Sequence, residues 1–248
     1  MPVNRTYLPK EEILSLKPFT NYVLVKIDDP NEYRKTEGGI YLYVDQDVDT
    51  AMHANRHGTV VSVCKKLHYV NRSRKETFQG KDVNVGVDSV EYDSDIDVVK
   101  GDRVFFSYLD GLNCNEFVES EFSIHNEVKI HFSYKLLRYD SLRVCWRGDE
   151  VMGLNGYYLI EPTEETTSKL ILLQKKNPLV SMGIVRAVSK PNRIRLTPGN
   201  KEIPEGVVKV GDKVAIRSKY LNWFEDSLHK KFDKPLRIIN SSDIFGVL

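Results

Sequence analysis

One order of strand and turn signals is written twice in this chain, once in each half. The first copy runs from Phe19-Thr-Asn-Tyr-Val-Leu-Val-Lys26 through Gly38-Gly-Ile-Tyr-Leu42 to His57-Gly-Thr-Val-Val-Ser-Val63. It continues with Val99-Lys-Gly-Asp-Arg-Val-Phe105 and closes on residues 134–144. The second copy reads Asn155-Gly-Tyr-Tyr-Leu-Ile160, Lys169-Leu-Ile-Leu-Leu173, Met182-Gly-Ile-Val-Arg-Ala-Val188, Val210-Gly-Asp-Lys-Val214 and a closing segment over residues 236–247. A repeat of this length predicts two copies of one domain rather than a single large fold. The 248 residues suffice for two domains that each bury a core.

Most segments in the repeat are short, rich in β-branched and aromatic residues, and broken by turn residues, so both copies read as all-β with small-barrel spacing. Residues 9–16 are the exception. There Pro9 and two following glutamates suit the start of a short helix. Residues 1–16 form an N-terminal extension, 17–147 the first domain and 153–248 the second. The boundary falls near 147–154, with no Gly/Ser- or Pro-rich linker, which predicts closely packed copies. Residues 64–98 are long, mixed in charge and poor in apolar side chains, and read as an inserted excursion or hairpin. Residues 28–37 and 44–56 are polar and flank the apolar Ile40, Tyr41 and Leu42, like a loop carrying a hydrophobic bead. Residues 163–173 are a shorter echo of it.

Charge is nearly balanced, with 36 basic against 35 acidic residues, so no strong field draws the molecule to nucleic acid or membrane. Cys64, Cys114 and Cys145 have neither the number nor the spacing of a disulfide framework or a cysteine zinc site. No signal peptide or spanning apolar run is read, which predicts a soluble intracellular protein.

Five of these pieces, in order and twice over, resemble the co-chaperonin (GroES-like) family. Family members open on a Pro-x-x-x-Arg-Val-x-Val-Lys type strand, here Pro18 to Lys26. A loop with a Gly-Gly-Ile-x-Leu core follows, here Gly38, Gly39, Ile40, Tyr41 and Leu42. Then come a Gly-x-Val strand, a Gly-Asp turn and a closing strand, best matched by residues 243–248. The resemblance implies two tandem irregular β-barrels, each with a mobile loop, and a long insertion in the first. It also implies docking of the loop bead on a GroEL-type chaperonin to assist folding of an unfolded client. No cofactor is implied, because ATP belongs to the partner chaperonin.

In the second copy Ile171, Leu172 and Leu173 take the bead's place, but the glycines are replaced by Lys169 and Leu170. Burying two aliphatic side chains of such a loop contributes about 1.5–3 kcal/mol each before its ordering cost. A ring of such weak contacts becomes strong through effective concentration. The competing reading makes residues 40–42 and 170–173 ordinary core strands.

Three further patterns carry less. His53 and His57 have helical metal spacing but no third ligand. Asp93, Asp95 and Asp97 alternate like a calcium loop without its glycine and terminal glutamate. Residues 65–75 interleave basic and aromatic side chains as single-strand nucleic-acid binders do, which motivates an alternative function as a structural or nucleic-acid-binding module. Catalytic motifs are missing and there is no room for a nucleotide-binding domain, so an enzyme is rejected. The lack of an Arg/Ser-rich transit peptide points to the cytoplasm of a bacterium or a phage-infected cell.

In the family, one subunit's closing strand pairs with the next subunit's opening strand, a heterologous contact that makes rings. The resemblance therefore implies a homo-oligomer interface between Tyr22, Val23, Leu24 and Val25 and, from a second molecule, Ile244, Phe245, Val247 and Leu248. The ring would hold an even number of domains, or be larger and use one domain per chain. The first copy's closing strand runs almost directly into the second copy, so one such junction is expected inside the chain.

Overall fold

The computed structural model describes residues 5–19, 21–27, 33–35, 38, 40–43, 56–78, 81–106, 110–111, 113–121, 123–125, 128–163, 180–189, 206–217 and 236–248. Within them the chain is mostly β-sheet with very little helix. The first half opens with β1 (Arg5–Leu8), α1 (Lys10–Ser15), β2 (Tyr22–Ile27), β3 (Tyr33–Lys35) and β4 (Tyr41–Tyr43). Next come β5 (His57–Val63), β6 (Leu67–Phe78), β7 (Lys81–Ser94), β8 (Arg103–Phe106) and β9 (Asn115–Glu119). The small pair β10 (Ser123–His125) and β11 (Val128–Ile130) precedes β12 (Ser133–Arg138), β13 (Leu142–Arg147) and β14 (Glu150–Gly153). The second half contains β15 (Tyr157–Thr163), β16 (Val180–Ala187), β17 (Lys213–Arg217), β18 (Arg237–Asn240) and β19 (Ile244–Val247).

The first sheet has the order β1-β9-β12-β2-β5-β8-β13-β14, and the second β18-β15-β16-β17-β19. The segment β12-β2-β5-β8-β13 thus repeats, strand for strand, as β18-β15-β16-β17-β19. The correspondence extends to irregularities. A bulge after Leu24 in the β2–β5 pair recurs after Leu159 in the β15–β16 pair, and one after Leu142 in β8–β13 recurs between β17 and β19. Bulges bend and twist a strand, so copying them copies the curvature.

The turn before β8 is copied as well. Gly101 N donates to Val60 O at 2.8 Å and Val99 N to Asp102 Oδ2 at 2.8 Å. In the second half Gly211 N donates to Val185 O at 2.8 Å and Lys209 N to Asp212 Oδ2 at 2.8 Å. Gly101 and Gly211 take φ of 95° and 94°, which an L side chain resists.

Each sheet packs one face on its own core. Val23, Val25, Val60, Val98, Val104, Phe106, Leu137 and Leu142 fill the first. Tyr158, Ile160, Val185, Val208, Val214, Ile216, Ile239 and Ile244 fill the second, at the corresponding positions. Among the described residues neither sheet closes into the expected barrel. No pairing among them joins β12 to β13 or β18 to β19. In the first sheet the two outer edges are already occupied, β12 by β9 and β13 by β14.

The insertion is a two-stranded ribbon, β6 against β7, that pairs with no other described strand. Asn21 fastens its base by accepting from His68 N at 2.7 Å and donating to His68 O at 2.6 Å. The helix expected over 9–16 is α1, with Pro9 at its start and Glu11 and Glu12 in its first turn.

Candidate functional site

Two places carry the residues singled out from sequence: the excursion between β2 and β5, and the junction between the halves. In the excursion, β3 and β4 pair antiparallel, with Arg34 opposite Leu42 and Lys35 opposite Tyr41. This pair belongs to neither core sheet. Tyr41 and Leu42 thus lie in a short hairpin strand rather than a bare loop. Gly38 is exposed and Ile40 is 56% exposed just ahead of β4. Gly39 and the second-copy residues Ile171, Leu172 and Leu173 lie outside the described residues, as does His53.

The expected oligomer contact divides in two. β2 is hydrogen-bonded on both sides, to β12 and to β5. Its Val23, Leu24 and Val25 are fully buried, and Tyr22 at its start is 39% exposed. The strand therefore offers no backbone edge to a second molecule. β19 differs. Among the described residues it pairs only with β17, and Phe245, Val247 and Leu248 are 53%, 44% and 69% exposed, while Ile244 is buried.

Inside the chain, β13 pairs antiparallel with β14, setting Val144 opposite Gly153 and Trp146 opposite Val151. The residues between the halves are therefore a strand of the first sheet, not a linker. Behind this pairing, Phe105, Val144 and Trp146 of the first sheet pack on Leu159, Ala187 and Leu236 of the second. Asn155, buried and at φ 54°, donates from Nδ2 to Tyr139 O at 2.6 Å and Leu142 O at 2.9 Å. Gly156 N donates to Ser189 Oγ at 2.9 Å. Gly153 has no room for a Cβ, which would strike the carbonyl of Tyr157. The Asn-Gly dipeptide at 155–156 was readable as a turn signal; that its side chain would stitch two domains was not.

Arg147, at the end of β13, closes over the Gly-Asp turn of the first copy. It donates to Asp102 Oδ1 at 3.0 Å and Oδ2 at 2.9 Å, and to Asp97 O at 3.0 Å. Asp97 also accepts from Tyr139 Oη at 2.9 Å, which gives one of the alternating aspartates a structural partner. Burial pushes the Asp102 carboxyl up, but hydrogen bonds from Arg147, Val99 N and Cys145 outweigh it and hold it below its ordinary value. Burial and the Asp102 charge push the Cys145 thiol up to about 12. Burial likewise pushes Cys114 to about 11. Such thiols are poor nucleophiles and poor metal ligands. Among the described residues no three His, Cys, Asp or Glu side chains gather as a metal cluster, and no helix is long and apolar enough to cross a membrane.

Exposed apolar side chains stand at Ile40 and on β19, and the copy-to-copy junction is formed once inside the chain. No family model matches the chain, and no curated protein matches it.

Proposed function

We propose that the protein is a tandem co-chaperonin of GroES-like build, a homo-oligomer that docks on a GroEL-type chaperonin and assists folding of its clients. The observation that carries the reading is Ile40. It stands 56% exposed just ahead of β4, in a hairpin that leaves the core sheet between β2 and β5, where the resemblance places the docking motif. The repeated sheet order supports the tandem arrangement. The nucleotide cycle belongs to the partner, and the docking segment acts by differential affinity for the partner's states.

The nucleic-acid alternative draws on β6, which carries Arg72, Arg74 and Lys75. Its ribbon partner β7 carries Asp82, Asp88, Glu91 and Asp93, so an acidic strand runs alongside the basic one. That neighbour weakens the electrostatic attraction to phosphate on which such binding depends.

A pull-down of a bacterial chaperonin, with and without ATP, tests the proposal. Nucleotide-dependent capture is expected. Capture of neither state would overturn it, and salt-sensitive retention of single-stranded oligonucleotide in its place would favour the alternative.

A further inference from the structure

Asn155-Gly156 is the only Asn-Gly dipeptide in the chain. In an unfolded chain such a pair is chemically labile, because glycine has no Cβ to keep its backbone nitrogen away from the preceding side chain. The Gly156 nitrogen attacks Cγ of Asn155, a new N–Cγ bond closes a cyclic imide, and the Cγ–Nδ2 bond breaks. Nδ2 leaves as ammonia, its added proton replacing the one that the Gly156 nitrogen gave up to solvent. Water then opens the imide at either carbonyl and leaves a carboxylate at position 155, on a normal or a β-linked main chain. Water is the only co-reactant.

The fold restrains every group that this reaction uses. Tyr157 N donates to Leu154 O at 3.0 Å, and between them Asn155 and Gly156 take φ of 54° and 80°, both positive as in a type I′ turn. The leaving group Nδ2 is held by Tyr139 O at 2.6 Å and Leu142 O at 2.9 Å. The nucleophile is held as well, since Gly156 N donates to Ser189 Oγ at 2.9 Å. Gly156 O accepts from Ser241 N at 2.8 Å, which fixes the other side of the same residue. Tyr139 and Leu142 belong to the first half, Ser189 and Ser241 to the second. The restraint is therefore complete only while the halves stay docked, with Phe105, Val144 and Trp146 on Leu159, Ala187 and Leu236.

We propose that Asn155-Gly156 is a deamidation site gated by the junction between the halves, and that its conversion keeps the junction from re-forming. While the junction is closed the pair is inert. When it opens, the side chain and the Gly156 nitrogen are released together, and the rate becomes the intrinsic rate multiplied by the open fraction. The product does not fit back. The amide of Asn155 supplies two N–H donors to two carbonyl oxygens, whereas a carboxylate only accepts. Its oxygens would face the oxygens of Tyr139 and Leu142 in a buried place, acceptor against acceptor. A β-linked product would also lengthen the main chain beside Gly153 and Leu154, whose amides are fixed on Val188 O at 3.0 Å and Arg143 O at 2.8 Å. Separation of the halves is thereby made permanent by a modification that needs only water.

Peptide mass mapping of the full chain, incubated at mildly alkaline pH with and without urea, tests the proposal. Conversion at Asn155 should be at least about a hundredfold slower in the native chain than in the unfolded one. Leu236→Ala, which thins the apolar contact of the junction, should raise the native rate at least about tenfold. Ile216→Val, in the second core, separates junction opening from general unfolding. At urea concentrations that leave the two variants equally folded, Leu236→Ala should convert faster. If Leu236→Ala does not fold, Val144→Ala replaces it. Asn155→Asp, which reproduces the normally linked product, should speed hydrogen exchange at the Leu154 and Gly156 amides relative to the parent chain. Native conversion as fast as unfolded conversion, equal rates in the two equally folded variants, or unchanged exchange in Asn155→Asp each overturns the proposal.

Discussion

The side-chain amide of Asn155 reaches back from the second half to the carbonyl of Tyr139 in the first, at 2.6 Å, and holds Leu142 O from the same nitrogen. One buried residue thus satisfies two acceptors at the turn that ends β12 and starts β13, while its φ of 54° lets β15 begin. Asparagine is among the few non-glycine residues that tolerate this conformation.

Asn155→Ala should therefore destabilise the protein by about 2–3 kcal/mol, because it removes two buried hydrogen bonds and strains the backbone. Asn155→Gly relieves the strain and keeps only the hydrogen-bond loss, so it should be the milder change. Urea denaturation midpoints check the order, and an Asn155→Gly variant as unstable as Asn155→Ala would remove backbone strain from the account.

Arg147→Ala should cost about 2 kcal/mol by leaving the Asp102 carboxylate buried without its guanidinium partner. The figure is below that for a fully buried pair, since the Arg147 side chain is 43% exposed. The Asp102 pKa is lowered in the folded chain, so its stabilisation is complete above the ordinary carboxylate range near pH 4. It is lost as pH falls through the lower folded value. Thermal midpoints of the parent should drop over that acid window, and Asp102→Asn should flatten the drop.

Gly58→Ala and Gly183→Ala probe the same position in the two copies. A Cβ at Gly58 would strike the carbonyl of Lys26, whereas at Gly183 the nearest atom is a side-chain methyl of Ile160. Both should destabilise by about 1–3 kcal/mol, with Gly58 the worse because backbone yields less than a rotatable side chain. Denaturant midpoints of the two single variants give the ranking, and the reverse order would mean that the copies pack differently there.

The thiols of Cys64 and Cys145 are buried, and burial raises all three cysteine pKa values. Native protein at pH 8 should react with a thiol-specific disulfide reagent far more slowly than unfolded protein, which should titrate all three cysteines. Rapid reaction of Cys145 in the native state would show that the cover of Asp102 and Arg147 opens readily.

Ile40→Asp with Leu42→Asp should abolish chaperonin capture and leave the denaturation midpoint within about 0.5 kcal/mol of the parent, as for a surface change. Loss of folding in this double variant would place the segment in a core and remove the docking reading.

What the sequence determined by itself was local and periodic. Alternation in segments such as residues 58–63 and 183–188, Gly-Asp at 101–102 and 211–212, and Pro9 with two glutamates each act over a few residues. Strands, a repeated turn and a short helix were legible from them, and so was the duplication. Pairing across the chain was decided elsewhere. Strand edges carry no residue code, because every backbone offers the same N–H and C=O groups. Hence the filling of both β2 edges, the recruitment of residues 150–153 as a strand of the first sheet, and the open order of both sheets among the described residues could be read only from the assembled pairs. The same holds for Ile13 and Trp146. Each reads as one apolar residue among many, and only the tertiary structure sets Ile13 in one cluster with Leu24 and Trp146 in one with Leu159, since burial depends on what the rest of the chain leaves uncovered.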